Sequence, residues 1–154
     1  MVCTFFGHRD TPPGIKPRLR QVISELIEQQ GVNQFYVGNQ GNFDAMARSA
    51  LAEFEQTHRI SYEIVLAYLP QQEDLLCDTD HTLLPEGIET VPPRFAIEYR
   101  NKWMIDHSDI VVTYVRRSFG GAAKFKNSAK KKNKKVIELT EIKNCPNNPK
   151  EVIG

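Results

Sequence analysis

The feature that most constrains the fold is a rhythm: short β-rich apolar runs that stop at glycine alternate with longer stretches whose apolar residues recur every three or four positions. Residues 2–6 (VCTFF) form the first such run and stop at Gly7, after which Thr11-Pro12-Pro13-Gly14 breaks any regular structure. Leu19, Val22, Ile23, Leu26 and Ile27 then mark an amphipathic helix over 16–30, with Gly31 at its stop. A second run, 33–37, ends at Gly38 and leads into Phe43, Met46, Ala47, Ala50, Leu51 and Phe54 at helical spacing. Residues 60–69 supply a third strand, and its unbroken Ile64-Val65-Leu66 centre suits a strand covered on both faces. Helical spacing returns over 93–107 through Ala96, Ile97, Tyr99, Arg100, Trp103 and Met104, with Pro93 near the start. Residues 109–115 (DIVVTYV) follow as a strand, then a Lys-rich helix from Gly120-Gly121 to about 133, then a last strand over 135–139. Strands alternating with helices predict an α/β fold: three layers, a parallel sheet with helices on both faces.

At 154 residues the chain is expected to be one domain, 2–140, able to hide roughly two thirds of its unfolded surface. Residues 70–92 break the rhythm with three prolines and no period, so they read as a long loop, its leucine pairs favouring a lid that packs somewhere. Residues 141–154 read as a loosely held tail. Twenty Lys and Arg against nineteen Asp and Glu leave a net charge of +1, which argues against nucleic acid as a partner. No run approaches the ~18 apolar residues of a membrane span, and residues 1–30 lack a signal-peptide pattern, so a cytoplasmic protein is expected. Cys3, Cys77 and Cys145 are odd in number and widely spaced, so no disulfide framework and no metal site are indicated. A solvated helix face accounts for the Lys124–Lys135 cluster as well as a polyanion site would.

In open α/β sheets ligands sit beyond the carboxyl ends of the strands, and three of those positions carry glycine. Gly7 opens GHRD, Gly38 opens GNQGNFD, and Gly120-Gly121 follows the 109–115 strand by a short loop. Glycine permits either a tight turn or the close approach of backbone N–H groups to a phosphate, with the next helix adding its positive end. None of the three matches the GxGxxG or GxxxxGK[ST] patterns, so neither a standard NAD site nor an NTPase is favoured, and no cofactor is implied. Arg9 can fork onto a phosphate, and His8 can donate to a sugar or base. Asp44, at a helix start, suits a cap or a ribose contact equally. Arg94 and Arg100 lie six residues apart on one helix and so on different faces, while Tyr99 and Trp103 share a face as core or as a stacking platform.

These blocks resemble a family. GHR at 7–9, GNQGNFDAMA at 38–47, the ordered stretch 85–109 with its Arg100-Asn101 pair, and GGAAKF at 120–125 are similar to the SLOG superfamily of Rossmann-like proteins, nearest its small YpsA-like branch, over about residues 2–139. The resemblance implies a Rossmann-like fold, a homodimer, and a nucleotide or nucleotide-derived ligand; the apolar face of the Trp103 helix suits that dimer or a buried core helix equally. It implies as contacts Gly7, His8, Arg9, Gly38, Asn39, Gln40, Gly41, Asp44, Arg100, Asn101, Gly120 and Gly121. The LOG phosphoribohydrolases, a branch that splits the base from a nucleoside monophosphate, carry an Arg-Lys pair and PGGxGTxxE. Arg100 matches their arginine, and Gly120-Gly121 the double glycine. Asn101 replaces the lysine, Ala123-Lys124 the Gly-Thr, and Asn127 the glutamate. Cleavage through a cation-like transition state needs a carboxylate. An N-glycosidase reading therefore depends on Glu98 or Asp44 as acid or base, with Arg100 orienting phosphate.

Overall fold

Phe5 and Phe6, adjacent in sequence, point to opposite sides of the sheet and show how the molecule is layered. In the computed structural model, which describes residues 1–68, 81–116 and 120–139, Phe5 stacks on Phe35 (ring centroids 6.0 Å apart) and Phe6 on Phe125 (5.7 Å). The two faces hold two cores. Leu19, Val22, Ile23 and Leu26 of α1 (Lys16–Gln30) and Phe43, Ala47, Ala50 and Leu51 of α2 (Gly41–Thr57) cover one face. Met104 and Ile105 of α3 (Ala96–Asp106) and Phe125 and Ala129 of α4 (Gly121–Lys131) cover the other.

Between them lies a six-stranded sheet of β1 (Val2–Gly7), β2 (Gln34–Val37), β3 (Ser61–Val65), β4 (Thr82–Leu83), β5 (Ile110–Tyr114) and β6 (Lys135–Glu138), in the order β4-β3-β2-β1-β5-β6. Every pairing is parallel. The expected three-layer α/β architecture is present, and it is Rossmann-like. From β1 the chain moves one way along the sheet through α1 and α2, and from β5 the other way through α4, so right-handed crossovers put those helices on opposite faces. The strand order therefore reverses between β1 and β5.

Local chemistry sets the boundaries. The prolines at 13 and 93 each open a 3-10 turn, Pro13–Ile15 before α1 and Pro93–Phe95 before α3, because a fixed φ and a missing N–H suit a helix's first turn. Gly31, at φ +71°, carries the chain out of α1 while its own N–H and that of Val32 return to the Leu26 carbonyl. Strand β3 is shorter than the expected 60–69. The stretch expected to be a loop holds order in its described part: Thr82–Leu83 pairs with Ile64 and Val65 at the sheet edge, and Ile88–Thr90 forms a 3-10 turn. Two residues are too few to show a period of two, which is why composition hid this strand. The rest of that loop, residues 70–80 with Cys77, and the 141–154 tail with Cys145 lie outside the described residues. Among the described residues no helix is long and apolar enough to cross a membrane.

Gly7, the last residue of β1, pairs with Tyr114, and a Cβ there would lie 2.2–2.6 Å from the buried ring of Phe43. Gly7→Ala is expected to destabilise the fold by about 1–3 kcal/mol in urea unfolding. Gly14→Ala, whose Cβ would meet nothing within 4 Å, is the control and should fall within about 0.5 kcal/mol of wild type. Equal midpoints for the two would refute this packing.

Candidate functional site

Where strand order reverses, the connections leaving β1 and β5 diverge and open a crevice beyond their carboxyl ends. A cleft of 390 Å³ occupies that position. Its walls are Gly7, His8, Arg9 and Asp10 after β1; Gln40 and Asp44 at the start of α2; Ile97, Arg100, Asn101 and Met104 of α3; and Gly120, Gly121, Ala122 and Phe125 of α4. Phe5 and Phe6 give it an apolar floor.

The most heavily tied group in it is Arg100, 2% exposed. Its Nη1 donates to the Val65 carbonyl at the end of β3 (2.9 Å) and to Asn39 Oδ1 (3.4 Å), and its Nε donates to Asn101 Oδ1 (2.7 Å). Burial pulls the guanidinium below its usual range, and the charge of Asp44 pushes back. Asp44 is 9% exposed, and Oδ2 accepts the Gln40 N–H at 3.0 Å, so the carboxylate caps α2 from inside the helix. Burial raises its pKa, against the Gln40 hydrogen bond and then the charges of Arg100, Arg48 and Arg9. Arg100 and Asp44 thus act on each other at the cleft's base.

The glycines divide by role. A Cβ on Gly38 would sit 2.6 Å from Asp44 Oδ2 and 3.0 Å from Arg100 Nη1, so glycine there makes room for the two charged groups. Gly41, at φ +88°, lies against Arg9, whose carbonyl accepts the Asn42 N–H at 2.9 Å. Neither glycine lines the cleft, and Asn39, exposed, touches Arg100 from outside it. Gly120 and Gly121 do line it. Gly120 precedes α4 at φ +97° and ψ 178°, a conformation essentially restricted to glycine, and α4 has no acidic residue in its first turn. A side chain at Gly121 would meet nothing within 4 Å.

Of the expected contacts, the fold brings together Gly7, His8, Arg9, Gln40, Asp44, Arg100, Asn101, Gly120 and Gly121, and leaves Gly38, Asn39 and Gly41 behind the wall. Glu98, a candidate acid or base, does not line the cleft. Its carboxylate meets Lys124 (3.1 Å) and Lys102 (3.4 Å), which hold it below the usual carboxylate range. Arg94 is exposed with its guanidinium over the Phe95 ring, so it forms no clamp with Arg100. Nor do Tyr99 and Trp103 build a stacking platform in the cleft. The Tyr99 hydroxyl donates to the Glu86 carbonyl (2.5 Å), and Trp103 packs against Tyr36 and His107.

The lysine cluster is partly engaged by the body of the domain, Lys124 by Glu98, Lys126 and Lys130 by Glu138, and Lys132 by Asp106. Sequence reasoning missed Phe5, Phe6, Asp10, Ile97, Met104, Ala122 and Phe125 as lining residues. A signal existed for two of them, because Ile97, Arg100, Asn101 and Met104 follow the i, i+3, i+4, i+7 spacing of one helix face. In comparisons with known proteins, no family model matches the chain and no curated protein matches it.

Because burial raises Asp44, the folded state holds its proton more readily than the unfolded chain does. Stability from this group is therefore lost as pH rises through its folded pKa and regained as pH falls. Asp44→Asn keeps an acceptor for the Gln40 N–H and does not titrate. In urea unfolding from pH 7 down to about pH 4, near the ordinary carboxylate range, wild type should gain stability relative to Asp44→Asn. A relative loss on acidification would show that Asp44 is stabilised as an anion.

Proposed function

We propose that the protein binds a nucleotide or nucleotide-derived small molecule in the β1/β5 cleft, as a sensor or carrier of the SLOG type. The observation that carries this reading is the amino end of α4. Gly120 has no side chain to cap the helix, no acid occupies the first turn, and the positive end opens onto the cleft. The phosphate sits on the backbone amides at Gly121 and Ala122, with Arg9 at the rim adding charge; Arg9 Nη2 is held by Gln40 Oε1 at 3.1 Å. Base and sugar lie over Phe6, Met104 and Phe125, with Asn101 and Asp44 available for polar contacts. A volume of 390 Å³ falls within the roughly 300–1,000 Å³ of small-molecule sites. The proposal carries with it the cytoplasmic location and the homodimer that the resemblance implies.

A second reading, N-glycosidase action on a nucleoside monophosphate or an NAD-like substrate, draws support from Asp44 alone. Its burial favours the protonated form that a general acid needs. The binding reading is preferred because Asp44 is already committed to the α2 cap and Glu98 is outside the cleft.

The test is calorimetric titration of a panel of nucleoside 5′-monophosphates, AMP included, into wild type and Gly121→Val, with chromatography for released base. Gly121 has open space and Gly120 does not have an ordinary φ, so the Val belongs at 121. Saturable binding without base release is expected, weakened at least tenfold, about 1.4 kcal/mol, in Gly121→Val at unchanged melting temperature. Unchanged affinity in a folded variant would remove the phosphate from this turn. Free base that disappears in Asp44→Asn would establish the hydrolase instead.

A further inference from the structure

His8 lines the cleft, and one of its contacts is that of a structural acceptor. The ring is 6% exposed, lies edge-on to Tyr114 (centroids 6.3 Å apart), and its Nε2 accepts the backbone N–H of Arg116 at 2.9 Å. A backbone amide can only donate, so Nε2 must offer its lone pair, and the proton of the neutral ring resides on Nδ1. Backbone pairing between β1 and β5 ends at Gly7 and Tyr114. One residue past that on β1 and two past it on β5, the His8–Arg116 bond carries the pairing beyond the sheet. Arg116 stands four residues before Gly120 in sequence, and Gly120 and Gly121 line the cleft.

We infer that His8 is a positioning residue whose neutral ring anchors the backbone at Arg116, just past β5, so that the cleft loses ligand affinity when His8 takes up a proton. Its effect on affinity rests on reading the cleft as the ligand site. Protonated, Nε2 becomes a donor facing a donor, and the bond to Arg116 is lost. Charged and titratable groups share the cleft or the strand ends with the ring. Its own loop carries Arg9 and Asp10, the end of β5 carries Tyr114 and Arg116, α2 presents Asp44 and α3 presents Arg100. The first turn of α4 adds no free charge, because Lys124 is turned to Glu98.

The experiment follows the ¹⁵N signals of the His8 ring and of the Arg116 and Gly121 amides in the ligand-free full chain over about pH 5 to 8, the range in which imidazole titrates. His8 is expected as the Nδ1–H tautomer at the alkaline end, with the Arg116 and Gly121 amides following its titration. His8→Gln places an amide oxygen at the reach of Nε2 and cannot titrate, so the same amides should be flat in that variant.

In parallel, AMP affinity is measured for both proteins at the two ends of the range. Their ratio cancels the second ionisation of the phosphate, near pH 6. Wild-type affinity relative to His8→Gln should fall about tenfold on acidification, the loss expected for one buried hydrogen bond. An Nε2–H tautomer, an Arg116 amide that ignores the His8 titration, or a ratio that stays level or rises overturns the inference. Failure of AMP to bind either protein at any pH overturns the ligand reading and the affinity effect together, while the amide titration still decides whether His8 is the anchor.

Discussion

The site depends on a buried guanidinium. Removing Arg100 from water costs several kcal/mol, and the fold offsets this by giving its N–H groups the Val65 carbonyl, Asn39 and Asn101, and by setting the Asp44 charge near it. Those partners come from the end of β3, the turn after β2, α3 itself and the start of α2. One side chain therefore ties together four segments that the sheet alone would leave independent at their carboxyl ends. The glycine at 38 follows from the same requirement, since any side chain there would occupy the space of Asp44 Oδ2 and Arg100 Nη1.

With Arg100 committed to its partners at the base, the proposed anion affinity of the cleft rests higher up. Arg9 stands exposed at the rim and α4 points its amino end into the opening, while Asp10 limits the excess of positive charge. On the proposed nucleotide reading, an apolar floor with a polar, positively biased mouth discriminates by orientation, with the flat, weakly polar part of the ligand down and the phosphate up. A uniformly basic groove would take any polyanion. Several lysines of α4 are instead turned toward Glu98, Glu138 and Asp106, away from that role.

Much of the fold was legible because buried parallel strands and amphipathic helices write their periods directly into the chain. Residues 109–115 and the Leu19–Leu26 stripe are examples, and both stand within a residue or two of where periodicity puts them. Two-residue β4 was not legible, since its pairing with β3 is decided by the sheet edge and not by its own composition. At the candidate site, positions after strands pointed to Gly7, His8, Arg9 and Gly120-Gly121, which line the cleft. Gly38 and Gly41, expected beside them, do not line it, because glycine has a double meaning. A lattice of one-dimensional spacings cannot tell a glycine that faces a ligand from one that makes room for a neighbouring carboxylate. Glu98 was misread for a similar reason: it is one residue outside the Ile97, Arg100, Asn101, Met104 face, so the helix turns it toward Lys102 and Lys124.

The most direct measurement is a crystal structure of the protein grown with a saturating nucleoside monophosphate. Density for the phosphate is expected within hydrogen-bonding distance of the Gly121 and Ala122 amides, with the base over Phe6, Met104 and Phe125 and Arg100 still bonded to Val65. Nucleotide density lodged elsewhere, on the α4 lysines for example, with the β1/β5 cleft holding only solvent, would contradict it.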